Sequence, residues 1–183
     1  MRKKLLALLL ALLTALPALA ETDSTDRILN AIQDVLKAEE ITYEVDAEYD
    51  TCYFAVDLTE PSILGAESYV DMFACVDGVN VIASYSQLPP EASHEELIRL
   101  CNCFNAAIYL GKFYVNPYQD TLCYELHLPL FNETIGEQER ALITDYLWTA
   151  IATLDYYQEY FLLVIENGEK AEHVLAMWEA DEY

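Results

Sequence analysis

The residues that could do chemistry in this chain are few and scattered. His94-Glu95-Glu96 opens like the helix of a zinc protease, in which two histidines four residues apart hold the metal beside a glutamate base. The fourth residue after His94 is Ile98, so that pattern fails. His127 and His173 lie in a strand-like stretch and in the tail, and no three-ligand metal site is expected. Asp46-x-Glu48-x-Asp50 has the alternating carboxylates of a calcium loop, with Asp57 at the twelfth place. Thr51 stands where that loop needs glycine and apolar residues follow, so a solvated strand entry is expected instead. There is no Gly-x-Ser-x-Gly, phosphate loop or dinucleotide fingerprint, and five glycines leave little material for such loops.

Cysteine is the remaining candidate nucleophile. Cys52, Cys75, Cys101, Cys103 and Cys123 are five, so at least one stays unpaired within a monomer. Cys101-x-Cys103 falls in a helical stretch, where residues two apart point to different sides, unlike a Cys-x-x-Cys redox pair or a metal clip. Small apolar fillers are the expectation. A thiol-dependent or hydrolytic enzyme, with an unpaired cysteine meeting a histidine in space, is the alternative. No catalytic residue, metal ligand or cofactor is assigned.

Arg2, Lys3 and Lys4 precede an apolar run from Leu5 to Leu16 that ends in Pro17-Ala18-Leu19-Ala20, the form of a secretory signal at residues 1–20 cleaved after Ala20. Residues 21–183 then form one domain, exported to the periplasm, envelope or exterior, with no membrane attachment after cleavage. Cleavage removes three of the nine basic residues and none of the 32 acidic ones, leaving a charge of −26. That field disfavours nucleic acid and anionic membranes and attracts cationic protein partners; it also serves solubility.

These residues need positioning elements. Asp26 to Lys37 carries Ile28, Leu29, Ile32, Val35 and Leu36 at helical spacing, after Ser24 and Thr25 as candidate caps. Asp50 to Leu58 alternates as a half-buried strand, with Thr51, Tyr53 and Asp57 on its outer side. Tyr69–Val76 and Val79–Tyr85 flank Asp77-Gly78, a dipeptide suited to the positive φ angles of a two-residue hairpin. After Pro89-Pro90, Ser93 to Glu96 reads as a capping box for a second helix that stops at Gly111. Lys112–Val115 and Thr121–Leu128 are strands joined through Asn116-Pro117-Tyr-Gln-Asp120. A second capping box, Thr134 with Glu137, opens a long helix whose apolar face runs from Ile143 to Ile165 and which ends at Gly168. From about residue 167 the tail is acidic, with Val174, Leu175 and Trp178 able to dock as a turn or two. The order is α-β-β-β-α-β-β-α, an α+β fold with a largely antiparallel sheet and helices packed on it.

The segment Leu100-Cys-Asn102-Cys-Phe-Asn105-Ala-Ala-Ile-Tyr-Leu-Gly111-Lys-Phe113-Tyr-Val, the strand Leu122-Cys-Tyr-Glu-Leu126 and the closing stretch Tyr157 to Gly168 resemble the YbjN-type domain, described as a bacterial sensory-transduction regulator. The resemblance runs from about Asp26 to Gly168 and implies the fold of type III secretion (Tir-type) chaperones. It also implies binding of protein segments, dimers and no catalysis. The export signal departs from a cytosolic escort role. The expected function is an exported non-catalytic domain binding a protein or peptide, chaperone-like or regulatory, with a structural subunit of an envelope complex as a further alternative. A second stripe on helix two, Ile98, Asn102, Asn105 and Tyr109, is the candidate interface for a homodimer.

Overall fold

The computed structural model describes residues 24–58, 68–85, 93–119, 121–131 and 134–181; the signal segment, Pro89-Pro90 and the turn residue Asp120 lie outside them. Helix α1 covers residues 24–38. β1 (Glu44–Asp46), β2 (Thr51–Val56), β3 (Ser68–Cys75) and β4 (Gly78–Tyr85) follow, then α2 (His94–Ala107), β5 (Lys112–Asn116), β6 (Thr121–Pro129), α3 (Glu137–Asn167) and α4 (Ala171–Asp181). The strands make one six-stranded sheet in the order β1-β2-β3-β4-β6-β5, and every pairing in it is antiparallel. Chain order gives a meander as far as β4. The chain then leaves through α2, reaches the far edge as β5 and returns as β6 beside β4.

Two elements go beyond the expected order. β1 pairs with β2 across a tight turn, so Asp46-x-Glu48-x-Asp50 is a hairpin loop; Asp46 Oδ1 accepts the Glu48 amide at 2.9 Å, and Asp50 takes a positive φ. The acidic tail is a full helix, α4, in which Ala171 and Val174 are buried.

The hairpin of β3 and β4 is present with its loop one residue earlier than the sequence suggests. Cys75 pairs with Gly78, so Val76 and Asp77 form the loop. Among the described residues, Glu40 and Asp50 are the non-glycine residues with positive φ, and of the described glycines Gly111 and Gly168 have it, so Gly78 is not required for left-handed backbone. Its requirement is space: a Cβ there would stand 2.1 Å from the Leu128 carbonyl oxygen of β6.

Helix caps also differ from expectation. Ser93 starts α2 in a helical conformation without a side-chain cap. For α3 the box lies two residues later than expected, with Glu139 Oε2 accepting the Gly136 amide at 2.9 Å. Gly168, with φ +67°, ends α3 as anticipated.

Helical spacing places the apolar residues of α1, α2 and α3 against one sheet face, with α4 packed on α2 and α3. Ile28, Ile32, Val35 and Leu36 of α1, Leu97, Leu100 and Phe104 of α2, and Ile143, Leu147, Leu154 and Phe161 of α3 join Met72, Val81, Leu126 and Phe113 of the strands in a single core. Phe104 is its hub on the α2 side, stacked edge-on to Tyr157, Phe161 and Trp178 at centroid distances of 4.6, 5.6 and 5.6 Å. Tyr85 donates its hydroxyl to the Leu154 carbonyl at 2.6 Å and so pins α3 to β4. α1 is tied to α3 at the surface, where Arg140 meets Asp34 at 3.0 Å.

Candidate functional site

Residues alternate along a strand, so the sheet has a second face. Its side chains follow from the register. Tyr53, Asp71, Ile82, Glu125 and Lys112 make one row across β2-β3-β4-β6-β5. Tyr69, Ser84, Cys123 and Tyr114 make the next row, and Phe73, Asn80 and His127 a third. Tyr53, Tyr69, Phe73, Ile82 and Tyr114 are half-buried, yet none packs on the core. The four described helices all lie on the opposite side. This broad face, aromatic with carboxylates among the rings, is the candidate binding surface.

Its two ends differ electrostatically. At the β5 end Lys112 Nζ lies 3.1 Å from Glu125 and 5.5 Å from the centre of the Tyr114 ring, while Asn80 donates to Glu125 at 2.9 Å. Burial pushes the Tyr114 hydroxyl pKa well up, with Cys123 and Glu125 adding to it. At the other end Asp71 sits among apolar side chains, and burial pushes its carboxyl above the ordinary range. Tyr53 donates its hydroxyl to Glu44, and that bond to a carboxylate raises the phenol's pKa.

The stripe expected on α2 is only partly assembled. Ile98 is 49% exposed and Tyr109 fully so, and Asn102 is exposed between them. α2 ends at Ala107, with Ile108 extended, four residues before the expected stop. Tyr109 is therefore on the connecting bend and off the helical face. The early stop has a visible cause: Tyr124 donates to the Leu110 carbonyl at 2.5 Å, and Gly111, with φ +74°, turns the chain where a Cβ would lie 2.6 Å from the Tyr124 oxygen.

Asn105 faces inward, toward β5. Its Nδ2 donates to the Phe113 carbonyl at 2.8 Å, and its Oδ1 accepts the Phe113 amide at 2.7 Å. β5 is an edge strand, so the side-chain amide supplies the two bonds that another strand would have made. Asn105 thus seats α2 on the sheet, with its side-chain amide engaged by β5.

Beside the stripe, α2 and α4 enclose a cleft of ≈ 390 Å³ lined by Glu96, Arg99, Asn102, Cys103, Lys170 and Glu172. Glu96, expected to cap its own helix, instead caps α4: it accepts the Ala171 amide and Lys170 Nζ, each at 3.0 Å. The amide bond first, then Lys170, lowers its carboxyl pKa.

All five cysteines are free thiols. Burial is the main cause that pushes Cys52 up to about 11 and Cys101 up to about 12, the opposite of nucleophile activation. Cys101 is buried and Cys103 borders the α2–α4 cleft, so the two do point apart. Among the described residues no three His, Cys, Asp or Glu side chains are grouped to hold a metal, and no helix is long and apolar enough to cross a membrane.

Residues 29–163 match the YbjN family, described as "Putative bacterial sensory transduction regulator", and the chain belongs to that family. The match runs from α1 into α3 and leaves α4 outside. No curated protein sequence matches the chain.

Proposed function

We propose that this chain is an exported, non-catalytic binding domain that engages a protein or peptide partner in a regulatory or chaperone-like role in the cell envelope. The observation that carries this is the second sheet face: Tyr53, Tyr69, Phe73 and Ile82 gather around Asp71, with Tyr114 beyond Cys123 and Glu125, and no described helix lies over them. The family's description as a regulator supports a role exerted through binding. The raised pKa values of Cys52 and Cys101 weigh against the thiol-enzyme alternative. Export rests on the signal-like segment at residues 1–20.

A photo-crosslinking side chain in place of Ile82, compared with one at exposed Glu159 on α3, tests the reading in the extracytoplasmic fraction of the source cells. Adducts of defined mass at Ile82 and not at Glu159 are expected; none at Ile82 overturns it. N-terminal sequencing of the exported protein should begin at Glu21, and retention of Met1 in a membrane fraction would refute export.

The domain forms a homodimer through Ile98, Asn102 and Tyr109, with Asn105 reserved for β5. Two such acidic copies repel, so association strengthens with ionic strength. Ile98→Glu with Tyr109→Glu should leave a folded monomer in sedimentation equilibrium. A wild-type monomer at every salt concentration would remove the dimer.

A further inference from the structure

Asp71 occupies the centre of a hydrophobic square. Tyr53 and Ile82 are its partners across the neighbouring strands, and Tyr69 and Phe73 flank it two residues away on β3. Such a carboxylate ordinarily has a cation beside it, yet among the described residues no basic side chain forms an ion pair with Asp71. The same face shows the complete arrangement elsewhere: Lys112 rests on a carboxylate, Glu125, and on an aromatic ring, Tyr114. The Asp71 seat has the carboxylate and the rings and lacks the cation.

We infer that the Asp71 seat receives the guanidinium or ammonium of a basic side chain from a protein partner lying across the open face. This deepens the binding-domain reading and rests on it. Aromatic rings around one carboxylate suit an organic cation, which gains from ring faces; a divalent metal would need several oxygen ligands together. The chain's net charge of −23 favours a basic segment over a second copy of itself.

The test uses the exported protein and a short peptide alternating arginine and threonine, against the same peptide with citrulline, which keeps the shape and removes the charge. The arginine peptide should bind at least about tenfold more tightly. Asp71→Asn should weaken it by a similar factor, whereas Glu159→Gln, on the opposite side, should change it less than about twofold. Backbone amide shifts should centre on β2, β3 and β4. Equal binding of both peptides, or equal losses in the two variants, overturns the inference. So does self-association through this face, lost on Ile82→Lys. Ile82 adducts that are indifferent to Asp71→Asn would leave the binding reading standing and remove this one alone.

Discussion

Replacing Asn105 by alanine removes both bonds to Phe113, of 2.8 and 2.7 Å. Each is worth about 1 kcal/mol net, and the stranded Phe113 amide and carbonyl add a desolvation cost, for a total of about 2–4 kcal/mol. Phe113 is 1% exposed, so water reaches those groups poorly. At roughly 3 °C per kcal/mol for a domain of this size, the melting temperature should fall by about 6–12 °C. Asn105→Asp keeps an acceptor for the Phe113 amide and sets a carboxylate against its carbonyl, so at neutral pH it should cost at least as much. Acidification should restore part of the loss by returning a donor. Urea denaturation followed by tryptophan fluorescence measures these changes, with exposed Asn102→Ala as a control expected within about 0.5 kcal/mol of wild type. If Asn105→Ala matched Asn102→Ala, the edge-strand role would be refuted and Asn105 would return to the interface stripe.

Gly78→Ala should destabilise by at least about 2 kcal/mol, because the obstructing Leu128 oxygen is main chain and cannot swing aside; a neutral result in thermal melts would contradict the close approach of β4 and β6. Asp71→Asn should raise stability at neutral pH: with its folded pKa above the unfolded value, Asp71 favours the fold while protonated and loses that contribution as pH rises through the folded value. Denaturation midpoints of the two proteins should therefore converge on acidification, and a constant gap would count against it. At pH 8, Cys52 and Cys101, with values near 11 and 12, should have thiolate fractions lower than in the unfolded chain by about a hundredfold and about a thousandfold and alkylate correspondingly more slowly in the native protein. Peptide mapping after iodoacetamide would show this, and fast native labelling of either would revive the thiol-enzyme alternative.

The main elements were legible because their apolar residues repeat cleanly: Leu122, Tyr124, Leu126 and Leu128 with period two, and Ile143, Leu147 and Leu154 at helical spacing. β1 was not, since Glu44-Val45-Asp46 offers a single apolar residue, and α4 looked like a loose tail because Glu172, Glu179 and Asp181 are interspersed among its few anchors. Turn chemistry identified the β3–β4 hairpin and misassigned its loop by one residue, as Asp77-Gly78 serves a left-handed turn and a tight crossing equally well. On α2, Asn102 and Asn105 are the same residue type three apart, and only tertiary placement distinguishes the exposed one from the one bonded to β5. Binding through the sheet was legible, but the residues of the face were not, for a related reason. Tyr53, Asp71 and Ile82 each mark the outer side of a single strand, and only strand order assembles them into a surface.

Both edges of the sheet are blunt. At one, the amide of Asn105 occupies the bonding positions of Phe113; at the other, β1 is only three residues long and two of them are acidic. Growth by adding strands, the route by which exposed sheets polymerise into fibrils, is thereby obstructed in both directions. An acidic domain can then carry an aromatic sheet face with no described helix over it without seeding aggregation, since a second molecule must meet it face to face, where like charges hold the copies apart.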